Sequence, residues 1–278
     1  MIILDGKAVA GQITDSLKAD ISRLGLKPNL DIVLVGSDPA SLKYVELKQK
    51  QAALIGIGGQ IHHLNQNSST SAVIDLINNL NHDPNIIGLM VQLPLPSQID
   101  TNQVLLSLDP TKDADGLNPL NLALLFQNHP HAIPSATSLG IIKLVEAYHI
   151  DFDGKNAVII NRSPEVGLPL FAQLTAKNAT VTLCHSHTQN LDQIASQADI
   201  LISAIGKPKF FDRKFIKTNA VVIDVGYAVD PNSGKVTGDF NFDDIKDIAG
   251  FITPVPGGIG PMTVASLLFN TVQIAKNQ

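Results

Sequence analysis

The chain has 278 residues, 44% of them hydrophobic and 16% charged, a composition that excludes a disordered chain and allows a sizeable core. Twenty Lys and Arg against 25 Asp and Glu give a net charge of −5 with no basic stripe, which excludes a general nucleic-acid binder. The single cysteine, Cys184, excludes an internal disulfide and fits a reducing, cytoplasmic setting.

The length suggests two domains, or one large one. Met1-Ile2-Ile3-Leu4-Asp5-Gly6 has no basic region before its short apolar run, so a signal peptide is not expected. No apolar stretch reaches the ~18 residues of a membrane span.

Val9, Ile13, Leu17, Ile21 and Leu24 recur at helical spacing and predict a helix over 7–24. A strand follows at Leu30–Val35, a helix at 39–55 ending on Gly56, and a strand at Gln60–Leu64. A helix over 70–80 and a strand at Ile86–Val91 complete this alternation, which is the pattern of a parallel sheet with helices on its faces. Gln92 to about Pro134 reads as loop-rich. From there a helix is expected over 138–149, then strand Ala157–Ile160, helix 166–177, strand Thr180–Leu183 and helix 190–196. Strands at Ile200–Ile205 and Val221–Val225 follow, an order that suggests a nucleotide-binding α/β domain. A terminal helix is expected after Pro261, returning to pack on the first domain.

Four segments carry candidate chemistry. Tyr44 and Lys48 lie four apart on a predicted helix and so share a face. A partly desolvated lysine there would have a lowered pKa and could move protons near neutrality, whereas a solvated lysine beside an incidental tyrosine would look the same in sequence. Gln92 stands at the carboxyl end of a parallel strand, where open α/β sheets bind ligands. Lys112-Asp113-Ala114-Asp115-Gly116 places acids in a tight turn, where Asp115 either caps the turn or accepts hydrogen bonds from a ligand's ring N–H and amino groups. Pro254-Val255-Pro256-Gly257-Gly258-Ile259-Gly260-Pro261-Met262-Thr263 predicts a rigid, sharply bent loop opening a helix.

Taken in order, Ser41–Lys48, Val91–Pro96, Lys112–Gly116, Arg162-Ser163 with Val166-Gly167-Leu168-Pro169, and Pro254–Thr263 closely resemble the methylenetetrahydrofolate dehydrogenase/methenyltetrahydrofolate cyclohydrolase family over nearly the whole chain. The resemblance implies two α/β domains flanking a cleft, the second a Rossmann-like NAD(P)-binding domain. Residues 1–133 and 262–278 would form the folate-binding catalytic domain, and 134–261 the NADP-binding domain. It implies NADP-dependent oxidation of 5,10-methylenetetrahydrofolate and hydrolysis of the methenyl product to 10-formyltetrahydrofolate, both in that cleft. By the same resemblance Lys48 is the catalytic lysine, Tyr44 stacks on the pterin, Gln92 tunes the lysine and Asp115 anchors the pterin ring. Pro256, Gly257 and Gly258 would line the folate pocket. A cytoplasmic homodimer acting on tetrahydrofolate derivatives, with no nucleic-acid or membrane partner, is implied too.

The cofactor site is expected at Asn161, Arg162, Ser163, Val166, Gly167, Ser186 and Thr137. There is no Gly-x-Gly-x-x-Gly, and Asn161 stands where the resemblance leads one to expect glycine. Asparagine tolerates left-handed geometry, so the turn is expected to survive. Pro164 suits a first helical turn, while Glu165 would repel a phosphate unless it points away. Leu183-Cys184-His185-Ser186-His187 lacks the acid that usually binds the ribose hydroxyls of NAD, so NADP is favoured over NAD. Cys184, His185 and His187 have no second ligand cluster to complete a metal site, so no metal is expected. Pro134-Ser135-Ala136-Thr137 also departs from the family's Pro-Cys-Thr-Pro, at a loop that the resemblance places beside the cofactor. These departures rank the cyclohydrolase as safer than the dehydrogenase. They keep open a cyclohydrolase-only or folate-binding protein with impaired nicotinamide use. A shikimate or amino-acid dehydrogenase would share the two-domain plan, but Gln92–Pro96 and Pro254–Thr263 argue against it.

Overall fold

The computed structural model of the chain describes residues 1–231 and 233–277. In chain order the elements are β1 (Ile2–Ile3), α1 (Gly6–Leu24), β2 (Leu30–Val35), α2 (Pro39–Leu54), β3 (Ile61–Leu64), α3 (Thr70–His82) and β4 (Gly88–Val91). Next come α4 (Thr101–Ser107), α5 (Pro119–Phe126), α6 (Ala136–Ala147), β5 (Asn156–Ile160), α7 (Gly167–Ala176), β6 (Thr180–Cys184) and α8 (Leu191–Ala195). The last are β7 (Ile200–Ser203), β8 (Val221–Asp224), β9 (Ala228–Val229), β10 (Val236–Thr237), α9 (Phe242–Ile245), β11 (Phe251–Ile252) and α10 (Ile259–Lys276).

The chain divides into two compact units. One holds Gly11–Leu124, His129–Ala136 and Val264–Gln278, and is built on a parallel three-stranded sheet ordered β3-β2-β4. Every residue of β2 and β4 is buried, as expected of strands covered on both faces. Local chemistry starts the helices: the Asp38 carboxylate accepts the Ser41 N–H at 2.8 Å with Pro39 at the first helical position of α2, and Ser69 caps α3 through Ala72 N. Leu267, Leu268, Val272 and Ile274 of α10 join the same apolar cluster as Leu17, Ile32 and Val45, so the terminal helix does pack into this unit.

The other unit holds Met1–Ala10, Leu125–Asn128 and Thr137–Thr263, on a six-stranded parallel sheet ordered β1-β11-β8-β7-β5-β6. The chain leaves β5 for β6 on one side and returns to β7 on the other. The order therefore reverses between β5 and β7, where such sheets open a ligand crevice beyond the strand ends.

Several elements differ from expectation. The stretch read as loop-rich contains α4 and α5. The first is started by Asp100, whose carboxylate accepts Gln103 N at 3.1 Å, but both helices are too short to show a helical period. The pairs β1 with β11 and β9 with β10 are two residues long, too short for any alternation to register. Strand β7 stops at Ser203, two residues early, and α10 begins at Ile259. Pro261 thus lies inside the first turn of α10, where a missing N–H costs nothing. Among the described residues no helix is long and apolar enough to cross a membrane.

Candidate active site

The buried residues of α2 are Ser41, Val45, Lys48 and Ala52, a stripe at helical spacing in which Lys48 takes a core position. Lys48 is only 4% exposed, while Lys43 and Lys50 are exposed. Lys48 is therefore not the solvated lysine that the motif alone allowed. Its Nζ donates to Gln92 Oε1 at 3.1 Å, lies 3.7 Å from Met90 Sδ, and stands 5.3 Å from the centroid of the Tyr44 ring. Tyr44 keeps 38% of its surface exposed, so one part of this group faces solvent.

Gln92 follows β4 directly. Its amide nitrogen donates to Leu93 O at 2.5 Å, which turns the amide oxygen toward Lys48. Burial pushes the Lys48 ammonium below its ordinary pKa, and the Asp115 carboxylate pulls it back up. Desolvation dominates, so the balance is shifted toward the neutral amine relative to a solvated lysine. Lys48, Tyr44, Gln92 and Asp115 therefore gather in one unit around one amine.

Asp115 sits in a turn tied down by its neighbours. Ala114 N donates to Leu89 O at 3.0 Å, Ala136 N to Asp115 O at 3.1 Å, and Asn270 Nδ2 to Ala114 O at 2.9 Å. The turn is organised by Asp113, which sequence reasoning passed over. This fully buried carboxylate accepts Gly116 N at 3.1 Å and Asn118 N at 2.6 Å, and burial raises its pKa to about 7. Met90 was missed as well, and nothing in the sequence marks a strand methionine as a lysine's neighbour.

The expected cofactor residues lie in the unit with the six-stranded sheet. Asn161, one residue past β5, does not adopt left-handed geometry and is absent from the residues with positive φ. It works through its side chain instead: Oδ1 accepts Ser163 N at 2.7 Å and Gly167 N at 3.1 Å, while Nδ2 donates to Ala204 O at 2.6 Å. This corrects the reason why the turn survives without glycine. Pro164 lies in the turn before α7 rather than in the helix, and Glu165 is half-buried in the same turn. Val166 N donates to Ser163 Oγ at 3.2 Å. Gly167 is obligatory, since a Cβ there would stand 2.2 Å from Asn161 O.

The opening N–H groups of α7 are occupied internally, Gly167 N by Asn161 and Leu168 N by Ser163 O at 3.0 Å, and residue 169 is proline. An anion at this end of the sheet would therefore be met by side chains. Arg162 and Ser186 are exposed there, and no acid follows β6. This donor set fits a phosphorylated ribose. Cys184 is buried and its thiol is pushed up by burial, while His185 and His187 pack ring to ring at 6.1 Å. Thr137 Oγ1 and Thr263 Oγ1 are 3.2 Å apart. Ala136 is fully buried in the apolar cluster of the other unit, a core packing position rather than an exposed loop. In the 254–263 loop, Gly257 O accepts Lys7 N at 3.0 Å and Thr263 Oγ1 donates to Ile259 O at 3.2 Å, so the segment is fastened to the start of α1.

Comparison with known proteins gives the family. Residues 4–115 match the catalytic domain, and residues 135–278 the NAD(P)-binding domain, of tetrahydrofolate dehydrogenase/cyclohydrolase. The bifunctional protein FolD of Methanoculleus marisnigri is 47% identical over 275 residues, covering 99% of this chain and 96% of its own. The crystal structure of the bifunctional FolD of Campylobacter jejuni superposes with a TM-score of 0.96 at 41% identity, covering 100% and 99% of the two chains. The Trypanosoma brucei FolD, solved with NADP cofactor and an inhibitor, gives a TM-score of 0.94 at 35% identity, covering 100% and 98%. On these matches the chain belongs to the tetrahydrofolate dehydrogenase/cyclohydrolase family.

Proposed function

We infer that Lys48, Tyr44, Gln92 and Asp115 carry the folate chemistry of this bifunctional enzyme, which oxidises 5,10-methylenetetrahydrofolate with NADP and hydrolyses the methenyl product to 10-formyltetrahydrofolate. The observation that carries the reading is the burial of Lys48 with its amine on Gln92. A methenyl cation disfavours a second positive charge beside it, and burial already biases Lys48 toward the neutral amine. That amine takes a proton from water as its oxygen bonds to the methenyl carbon, then returns it to the ring nitrogen as the carbon–nitrogen bond breaks, while the remaining hydroxyl proton leaves to solvent and its O–H electron pair forms the formyl C=O. Gln92 holds the amine in place through its fixed oxygen. Asp115 accepts paired hydrogen bonds from the aminopyrimidine edge of the pterin, and Tyr44 stacks on it.

The nicotinamide of NADP, when bound, supplies the hydride acceptor for the methylene carbon. Arg162 and Ser186 hold the 2′-phosphate, while Asn161, Ser163, Val166 and Gly167 shape the turn, and Thr137, paired with Thr263, is assigned to the same cofactor site. We assign folate chemistry to the unit with the three-stranded sheet and cofactor binding to the unit with the six-stranded sheet. The cyclohydrolase-only alternative loses its footing, since Asn161 builds the turn and Ala136 is a core residue. From the sequence resemblance we also propose a cytoplasmic homodimer, and sedimentation tests the dimer. The test of function is a spectrophotometric assay with methylenetetrahydrofolate and NADP or NAD in parallel. Reduction of NADP in preference to NAD is expected. Activity with NAD alone would overturn the roles of Arg162 and Ser186.

A further inference from the structure

Two carboxylates that the mechanism does not use lie at the carboxyl ends of β7 and β8. Asp239 is fully buried. Its Oδ2 accepts the Ser203 hydroxyl at 2.6 Å and Ile205 N at 2.8 Å, and its Oδ1 accepts Lys207 N at 2.8 Å. All three donors belong to the segment that leaves β7. Asp224, the last residue of β8, accepts Gly226 N at 3.0 Å, Asp239 N at 2.9 Å and Phe240 N at 2.9 Å, and so fixes the backbone that carries Asp239. The arrangement is tight: a Cβ on Gly226 would stand 2.2 Å from Asp239 Oδ1.

Burying two acids this close works against stability. Burial raises Asp224 to about 7, and the charge of Asp239 adds to the rise. An apolar plug would be cheaper if packing were all that mattered. What the acids provide is directional: three bonds hold residues 203–207 from one side, while Asn161 Nδ2 holds Ala204 O from the other at 2.6 Å. That segment borders the switch between β5 and β7, where a sheet of this order receives its ligand.

We infer that Asp239 is a positioning residue for the dehydrogenase: it fixes the 204–207 segment as one wall of the cofactor crevice, with Asp224 setting Asp239 in place. This rests on the reading of that crevice as the NADP site. The test is calorimetric NADP affinity, with amide hydrogen exchange of the free protein, for Asp239→Asn, Gly226→Ala and Ser203→Ala. Asp239→Asn turns an amide N–H toward donors, and Gly226→Ala displaces the carboxylate without removing its charge. Both should weaken NADP by ~10-fold or more, a free-energy change of about 1.4 kcal/mol, and should speed exchange at Ile205 and Lys207. KM for NADP should rise by a like factor while kcat at saturation moves less than ~3-fold. Ser203→Ala removes one donor of three and should shift affinity in the same direction by less. A folded Asp239→Asn or Gly226→Ala protein that binds NADP within ~2-fold of wild type, whatever its melting temperature, would overturn the inference. Arg162→Ala run alongside separates the two claims. Unchanged affinity there beside weakened affinity in Asp239→Asn would remove the Arg162 assignment and uphold Asp239.

Discussion

Gln92 and Asn161 are both carboxamides set one residue beyond a buried parallel strand, and the molecule uses them in opposite ways. Gln92 turns its oxygen onto a side chain, the Lys48 amine, and spends its N–H on the adjacent Leu93 carbonyl. Asn161 turns its oxygen onto two backbone N–H groups and its own N–H onto a carbonyl 43 residues away. The first arrangement leaves a reactive group desolvated and lightly held. The second saturates the backbone and makes a turn rigid. The same group at the same kind of strand end thus tunes chemistry in one unit and builds architecture in the other.

The contrast is sharpened most by removing what Gln92 serves. Lys48→Met should cut ring opening by about 10³-fold, within the range for losing a general acid–base, while calorimetric NADP affinity shows that the protein is folded. Normal turnover would break the functional side of the comparison. Substituting the two carboxamides should then separate turnover from stability. Gln92→Leu should lower cyclohydrolase turnover by roughly 10-fold with little change in melting temperature. Asn161→Leu should cost about 2–3 kcal/mol of stability, since Ser163 N, Gly167 N and Ala204 O all lose their partner. Equal losses of stability in both would erase the distinction.

A smaller effect concerns Asp113, the buried acid behind Asp115. Its pKa in the fold is about 7, against about 4 in an unfolded chain. A raised carboxyl favours the protonated form, so its contribution is full below about pH 4 and is lost as pH rises toward 7. Asp224 acts with the same sign. The lowered aspartates, Asp38 and Asp199 among them, act below pH 4 and do not mask this window. Denaturant-measured stability should therefore fall by roughly 2 kcal/mol or more between pH 4 and 7. The fall should be smaller in Asp113→Asn, and an unchanged slope would remove Asp113 as its source.

How much of this could be read in the sequence follows from the range of each interaction. The strands Leu30–Val35 and Ala157–Ile160 and the helices α2, α3 and α6 are set by local periodicity, and they appear where expected. Lys48 was legible through its four-residue spacing from Tyr44 and the resemblance of the segments around it and Gln92, while its place in a buried stripe with Val45 and Ala52 emerged only in the fold. The role of Asn161 was misread because it depends on Ala204, which no local pattern connects to it. Asp113 and Asp239 escaped too. Each looks like a turn acid in sequence: Asp113 bonds N–H groups of its own turn and is set apart only by its complete burial, while Asp239 is a hub for N–H groups more than 30 residues away.

The central claim is that Lys48 works as a desolvated amine whose pKa lies below that of an ordinary lysine. The most direct test is the pH dependence of cyclohydrolase turnover in wild type and in Asp115→Asn. Turnover should rise with pH on a limb lying below the ordinary lysine value. That limb should move lower still in Asp115→Asn, where the carboxylate that raises Lys48 is gone. A limb at the ordinary lysine value, or one indifferent to Asp115, would contradict the account.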